Sequence, residues 1–347
     1  MAGNANLCAA KAAKNDEFYT QWGDIENEMQ AYLEYNPDVF RDKTILLPCD
    51  DPDWSNFTKY FAERFEQLGL KRLISTSYAA DGGNGKVFVL GGENGPQWGH
   101  LAGDGDFRSN EVTKLRDEAD IVVTNPPFSL FREFMAWLIE GEVQFSIIGS
   151  KNSITYKDVF PLIRDNKLWL GNGFAKGNAY FHIPEHLARD FAAGVHDEYT
   201  STVHFRNIDW FTNIEHGRRH EPLVLMTMED NLLYGSKRVR ETAYVKYDNY
   251  DAIEVPETKG IPSDYAGVMG VPISFLDKYD PEQFEILDYP DGKVGPGQWI
   301  PYIEGTAKYA RILIRHRRLT IQSLSRSRSG QSSLRCKRGL SHVEVRG

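Results

Sequence analysis

Apolar positions along the first half of the chain follow two alternating rhythms. KTILLPC, from Lys43 to Cys49, is a short unbroken apolar run, the pattern of a strand buried on both faces. From Ser55 to Leu68 the spacing changes: Phe57, Tyr60, Phe61, Phe65 and Leu68 recur at three and four, which predicts a helix. LISTSY at 73–78, DIVVTNPPF at 120–128 and FSIIGS at 145–150 return to the strand pattern, with a helix-like LFREFMAWLIE between the last two. Strands alternating with helices predict an α/β fold built on a doubly wound parallel sheet. In such sheets ligands lie outside the carboxyl ends of the strands, near the switch in strand order. Polar clusters stand at those ends: Asp50 and Asp51, then Asn125 to Phe128, then Ser150, Lys151 and Asn152. Nine glycines fall between Asp81 and Gly105 around KVFVL, which predicts a hairpin inserted in the sheet order or a mobile arm.

From about Asn166 the alternation loosens into the short runs KLWLGN, AYFHIP, STVHFRNIDWF and PLVLMT, read as antiparallel additions. Beyond His216 charge and turn residues increase, predicting a second, smaller domain. After YARILIR the sequence turns Arg/Ser-rich with few large apolar residues and is read as disordered.

Composition narrows the class. The chain has 41% apolar residues, enough for a large core, and no run of eighteen apolar residues that could span a membrane. Three cysteines, Cys8, Cys49 and Cys336, lack CxxC or CxxH spacing, so neither a disulfide framework nor a metal site is expected, and a reducing cytoplasm fits. Charge opposes a simple nucleic-acid reading: the chain is −9 overall, and ten Arg and Lys against one Glu from Arg311 onward leave −18 on residues 1–310. Binding DNA would require a local basic face on an acidic body.

Asn125-Pro126-Pro127-Phe128 carries the most specific chemistry. The lone pair of an aromatic amine is delocalised into its ring. A methyl transfer to it needs acceptors that take both amine hydrogens and turn that pair outward. An Asn side-chain oxygen and the next carbonyl can do so, two prolines hold them rigid, and an aromatic can stack on an extruded base. The plainer reading is a turn closing a strand. Cys49 could be a nucleophile, but amine chemistry needs no covalent step, and a small buried residue is the better reading. CDDPD as a magnesium site and Glu257-Thr258-Lys259 as half of a nuclease site are weak patterns, better read as solvated loops.

Taken in order, DEFYTQWGDIENEM, CDDPDWSNFTKYF, DIVVTNPPFSLFREF and IIGSKNSITYKDVF resemble the EcoRI-type adenine-specific DNA methyltransferase family. The likeness runs on through GVPISFLDKYDPEQFEIL and ends near ARILIR. It implies a Rossmann-like S-adenosylmethionine methyltransferase with a smaller C-terminal target-recognition region, acting on N6 of an adenine flipped out of double-stranded DNA. On that basis residues 1–40 are an N-terminal arm, 41–215 the catalytic domain, 216–318 the target-recognition region and 319–347 the tail. Asn125, Pro126, Pro127 and Phe128 match the catalytic motif. Asp16, Phe18, Tyr19 and Thr20 fall where an N-terminal segment meets the methionine end of the donor, and Cys49, Asp50 and Asp51 form the first-strand loop. A carboxylate there could hold the donor's ammonium group. Asp106 and Phe107 resemble the segment that grips the adenosine, and Asp81 is the nearest candidate for the ribose acid. Lys151, Asn152, Arg218, Arg219, Lys237 and Arg238 are the candidate DNA contacts. The implied setting is the cytoplasm of a bacterium, or a phage gene expressed there, with the chain acting as a monomer beside a separate cognate restriction endonuclease. Methylation of protein glutamine or RNA, and a silent DNA-binding relative, are the alternatives.

Overall fold

The four apolar runs predicted as strands at 43–49, 73–78, 120–128 and 145–150 lie side by side in one sheet. The computed structural model describes residues 19–92, 95–174, 178–182, 196–197, 202–290 and 300–317, in two compact units, Met1–Arg219 and His220–Gly347. The first unit holds β1 (Tyr19–Thr20), α1 (Trp22–Tyr35), β2 (Thr44–Leu47), α2 (Asn56–Glu63), α3 (Phe65–Leu68), β3 (Arg72–Thr76), β4 (Lys86–Leu90), β5 (Gln97–His100), α4 (Asn110–Glu118) and β6 (Ile121–Thr124). It continues through α5 (Phe131–Glu140), β7 (Gln144–Ser150), α6 (Phe160–Arg164), β8 (Trp169–Leu170), β9 (Asn178–His182), β10 (His196–Asp197), β11 (Thr202–Arg206) and β12 (Ile208–Thr212).

The large sheet has the order β5-β4-β3-β2-β6-β7-β12-β8, with β3, β2, β6 and β7 parallel. The chain first builds outward from β2 to β3, then returns to place β6 on the other side of β2. The switch point therefore lies between the carboxyl ends of β2 and β6, where a ligand crevice forms in such folds. β2 and β6 are buried along their whole length, as their unbroken apolar runs require. On one face, Ile25, Met29 and Tyr32 of α1 and Phe57, Tyr60 and Phe61 of α2 join Ile45, Leu47, Ile121, Val123 and Ile148 in one core. On the other face α5 lies close, with Phe131 5.1 Å from Phe211 between ring centroids. A Cβ at Gly149 would collide with the Phe131 ring, so glycine is what lets α5 settle on β7.

Three expectations are refined. The helix predicted over 55–68 breaks at Arg64, whose guanidinium lies over the rings of Trp22 and Tyr60 and pairs with Glu26. KVFVL does form a hairpin strand, but it extends the sheet at its edge beyond β3. STVHFRNIDWF divides at Asn207, which adopts a left-handed φ of 62°. Its first half, β11, joins β1, β9 and β10 in a separate four-stranded sheet, while β12 pairs with β7.

The second unit carries α7 (Met228–Tyr234), α8 (Lys237–Thr242), β13 (Ala252–Glu254), β14 (Val268–Pro272), β15 (Phe284–Asp288), β16 (Tyr302–Ile303), β17 (Thr306–Ala307) and β18 (Arg311–His316). Its main sheet has the order β13-β14-β18-β15. PLVLMT forms no strand there. The main chain of Leu223 is satisfied instead by the side-chain amide of Gln283, and Val224 is 99% exposed. Arg311 donates to both carboxylate oxygens of the buried Glu254, which also accepts from Tyr247. This is a fully partnered buried ion pair. Among the described residues no helix is long and apolar enough to cross a membrane. The tail at 319–347 lies outside the described residues.

Candidate active site

Asp50 stands one turn beyond β2 and is 6% exposed. A carboxylate that deep needs donors, and two hydroxyls supply them: Ser55 Oγ donates to Oδ1 at 2.7 Å and Thr124 Oγ1 to Oδ2 at 2.6 Å. Ser55 also caps α2 by accepting from the Phe57 amide. The Asp50 amide donates to Thr76 O, and its carbonyl accepts from Ser75 Oγ. Asp50 is thus the knot that joins the ends of β2, β3 and β6 at the switch point.

Thr124 is the last residue of β6, so the Asn125–Phe128 segment leaves the sheet directly from this knot. Pro126 is buried, Asn125 and Pro127 are half-buried, and the Asn125 Oδ1 atom is shielded from solvent. Phe128 is 8% exposed and packs edge to face against Phe181 and Phe205. The four-stranded sheet therefore backs the segment through two aromatic rings, and the ring expected to stack on a base is also part of the core.

Around the knot the other candidates divide. Asp51 forms an ion pair with Lys86 Nζ at 2.9 Å, and Asp53 pairs with the same ammonium at 2.6 Å. Cys49 is half-buried. Thr20 is buried, its carbonyl accepts from Asn56 Nδ2, and its Oγ1 and the neighbouring Gln21 Nε2 are buried polar atoms with no hydrogen-bond partner among the described residues. Asp16 and Phe18 lie outside the described residues, as does the side chain of Tyr19.

Asp106 reaches the end of β3 because residues 102–106 fold back on Ser77–Ala79. Ala79 donates to Asp104 O, and Gly105, at φ 83°, lies so close to Ser77 that a Cβ would collide with the Ser77 carbonyl. The Asp106 carboxylate is held by Arg108, which pushes its pKa below the usual carboxylate range. The Phe107 ring is 3% exposed and packs edge to face against Phe134 and Trp137, which anchors the segment. Asp81 is exposed and caps its own turn at Gly83.

The candidate DNA contacts are scattered. Asn152, Lys237 and Arg238 are exposed. Lys151 pairs with the buried Asp209, and Arg218 donates to Asn172 O. Arg219 is corrected outright: it is 3% exposed, bonded to Glu215 and Asn166, with its guanidinium 3.8 Å from the Trp169 ring centre. Burial of this kind makes it a structural residue. Glu257 and Lys259 pair with each other.

Sequence reasoning missed four residues: Thr124, Ser55, Lys86 and Glu28. Only Glu28 had a signal, as an acid on the apolar stripe of Ile25, Met29 and Tyr32. It is fully buried, accepts from Tyr32 Oη and from the Asn172 and Gly173 amides, and burial pushes its pKa up to about 8.

A mixed sheet with a parallel β3-β2-β6-β7 centre, an Asn-Pro-Pro-aromatic segment at its switch point and acids beyond the ends of β2 and β3 defines a Rossmann-like methyltransferase acting on a planar amine. The comparisons with known proteins agree. A family model described as adenine-specific methyltransferase EcoRI matches residues 6–95 and 86–328, and the chain belongs to this family. The Type II methyltransferase M.EcoRI of Escherichia coli is 44% identical over 339 residues, covering 92% of this chain and 99% of that protein. M.MpnI of Mycoplasma pneumoniae and M.MgeORF184P of Mycoplasma genitalium are 36% and 37% identical, each covering 80% of this chain and 84% of the relative. No solved structure matches.

Proposed function

We propose that this chain methylates N6 of an adenine turned out of double-stranded DNA at a specific short sequence, using S-adenosylmethionine. The observation that carries the reading is that Asn125 leaves β6 immediately after the Thr124–Asp50 hydrogen bond, so the amine-holding segment begins at the crevice of the sheet. The residues present suit the donor. Asp51, Asp53 and Lys86 offer both charges to an amino-acid end, Thr20 Oγ1 and Gln21 Nε2 are buried polar atoms to be met, and Asp106 is a carboxylate acceptor for an exocyclic amine. When bound, the donor supplies an electrophilic methyl group on a sulfonium.

Every other part of the chemistry falls to the chain. Asn125 Oδ1 and the carbonyl of Pro126 accept the two amine hydrogens, so the nitrogen lone pair is drawn out of the ring. Pro126 and Pro127 fix the backbone that carries these acceptors. Phe128, braced by Phe181 and Phe205, bounds the place of the base. Asn152, Lys237 and Arg238 are the exposed candidates for DNA contact. The enzyme works as a monomer in a bacterial cytoplasm and protects DNA from a separate cognate endonuclease.

The experiment is to incubate the chain with tritiated donor and plasmid DNA, RNA or cell protein, and to digest and identify the labelled product. Label on DNA that co-elutes with N6-methyladenine is expected. Label on glutamine, on RNA or on another base would overturn the reading.

A further inference from the structure

Lys86 opens β4, on the edge hairpin, 35 residues in sequence from the loop that it reaches. Its backbone is fixed to the end of β3, since Ser77 N donates to Lys86 O and Lys86 N donates to Ser77 Oγ. The side chain then crosses to the loop after β2. There Nζ lies 3.2 and 2.9 Å from the two carboxylate oxygens of Asp51 and 2.6 Å from Asp53 Oδ2. The three side chains are 38%, 24% and 46% exposed, so the cluster borders solvent at the mouth of the crevice.

An amino-acid zwitterion presents an ammonium and a carboxylate a few ångströms apart, and a site for it needs both opposite charges at that separation. Asp50 is the less suited of the two adjacent acids, because it is buried and each of its oxygens already accepts a hydroxyl, whereas Asp51 is 24% exposed. Asp51 and Lys86 meet the requirement together. The two acids flanking one lysine also keep it protonated. We infer that Lys86 binds the α-carboxylate of the donor's methionine end while Asp51 takes its α-ammonium, the lysine exchanging part of its contact with the acids for contact with the ligand. The inference rests on S-adenosylmethionine being the donor. It also gives the edge hairpin a purpose, which is to deliver a cation to an otherwise acidic loop.

A purely structural lysine would pin the acidic loop and nothing more, and ligand chemistry separates the two roles. The full chain is titrated calorimetrically with S-adenosylhomocysteine and with its decarboxylated analogue, as wild type, Lys86→Met and Lys86→Arg, with thermal melts of each variant. Lys86→Met is expected to weaken S-adenosylhomocysteine about tenfold to thirtyfold and the decarboxylated analogue less than about twofold, while Lys86→Arg stays within about threefold of wild type. The selective loss should shrink but not disappear in about 0.5 M salt, where a field acting at a distance is screened out and a partly buried contact is screened only in part. Equal losses for both ligands, or a selective loss that vanishes in salt, would overturn the assignment, as would no loss at all. Should Lys86→Met melt early, Asp51→Asn with the desamino analogue gives the converse test: its binding is expected to hold while S-adenosylhomocysteine weakens, and equal weakening would count against the pairing. Failure of the wild type to bind either ligand would sink the donor reading itself.

Discussion

The hydroxyl of Thr124 donates to Asp50 Oδ2 at 2.6 Å, tying the strand that ends in Asn125 to the strand that ends in the acidic loop. These residues are 74 positions apart in sequence yet adjacent at the switch point. Thr124→Val keeps the volume and removes the donor, leaving a buried carboxylate oxygen short of one partner. We expect a loss of about 1–3 kcal/mol in stability by urea unfolding. Single-turnover methylation should slow about tenfold, because the amine acceptors lose their anchor. Thr124→Ser should restore both; a Val variant indistinguishable from wild type would contradict the role.

Gly105 sits at φ 83° with its α-carbon against the Ser77 carbonyl. Gly105→Ala adds left-handed strain and a collision with backbone that cannot swing aside. It should cost about 2–3 kcal/mol and weaken binding of S-adenosylhomocysteine, since Asp106 is the next residue. Denaturant midpoints and calorimetry check both, and an unaffected variant would mean that the 102–106 segment is looser than described.

Glu28 and His216 should pull stability in opposite directions with pH. Burial raises Glu28 from 4.5 to about 8, so the folded state holds this proton more tightly than the unfolded chain. Stability therefore falls as pH rises through that window, and Glu28→Gln should flatten the fall. Burial lowers His216 from 6.5 to about 4, its ring donating to Leu170 O, so stability falls as pH drops through that range. His216→Gln should remove that loss. Each effect is on the order of a few kcal/mol across its window. Unfolding free energies from pH 4 to 8 would expose a wrong sign in either case.

Arg219 and the Lys237–Arg238 pair looked alike in the sequence and should behave differently. Arg219→Ala should destabilise the fold by about 2–4 kcal/mol, since it removes a buried cation from Glu215, Asn166 and Trp169. Lys237→Ala and Arg238→Ala, at exposed positions, should leave stability within about 0.5 kcal/mol. Each should reduce the salt slope of DNA affinity by about one. Unfolding curves and binding across a salt series separate the two classes.

Much of the first unit was legible because β2, β6 and β7 are buried on both faces and therefore read as continuous apolar runs. The Asn125–Phe128 segment was legible because its chemistry is local, held in four consecutive residues. Lys86 and Thr124 were not, since what matters about them is a partner 35 or 74 residues away, and no spacing rule encodes that. Arg219 was misjudged for a related reason. A basic pair looks the same in sequence whether it faces a phosphate or packs on Trp169. PLVLMT failed as a strand because its main chain found the Gln283 side chain in place of a neighbouring strand.

The central claim is that Asn125 acts on the amine and not on the donor. Its most direct test is Asn125→Ala assayed in parallel for methyl transfer to duplex DNA and for calorimetric binding of S-adenosylhomocysteine. Transfer to adenine N6 should fall by about a thousandfold or more while the dissociation constant stays within about threefold of wild type. Retained turnover, or loss of binding along with transfer, would contradict it.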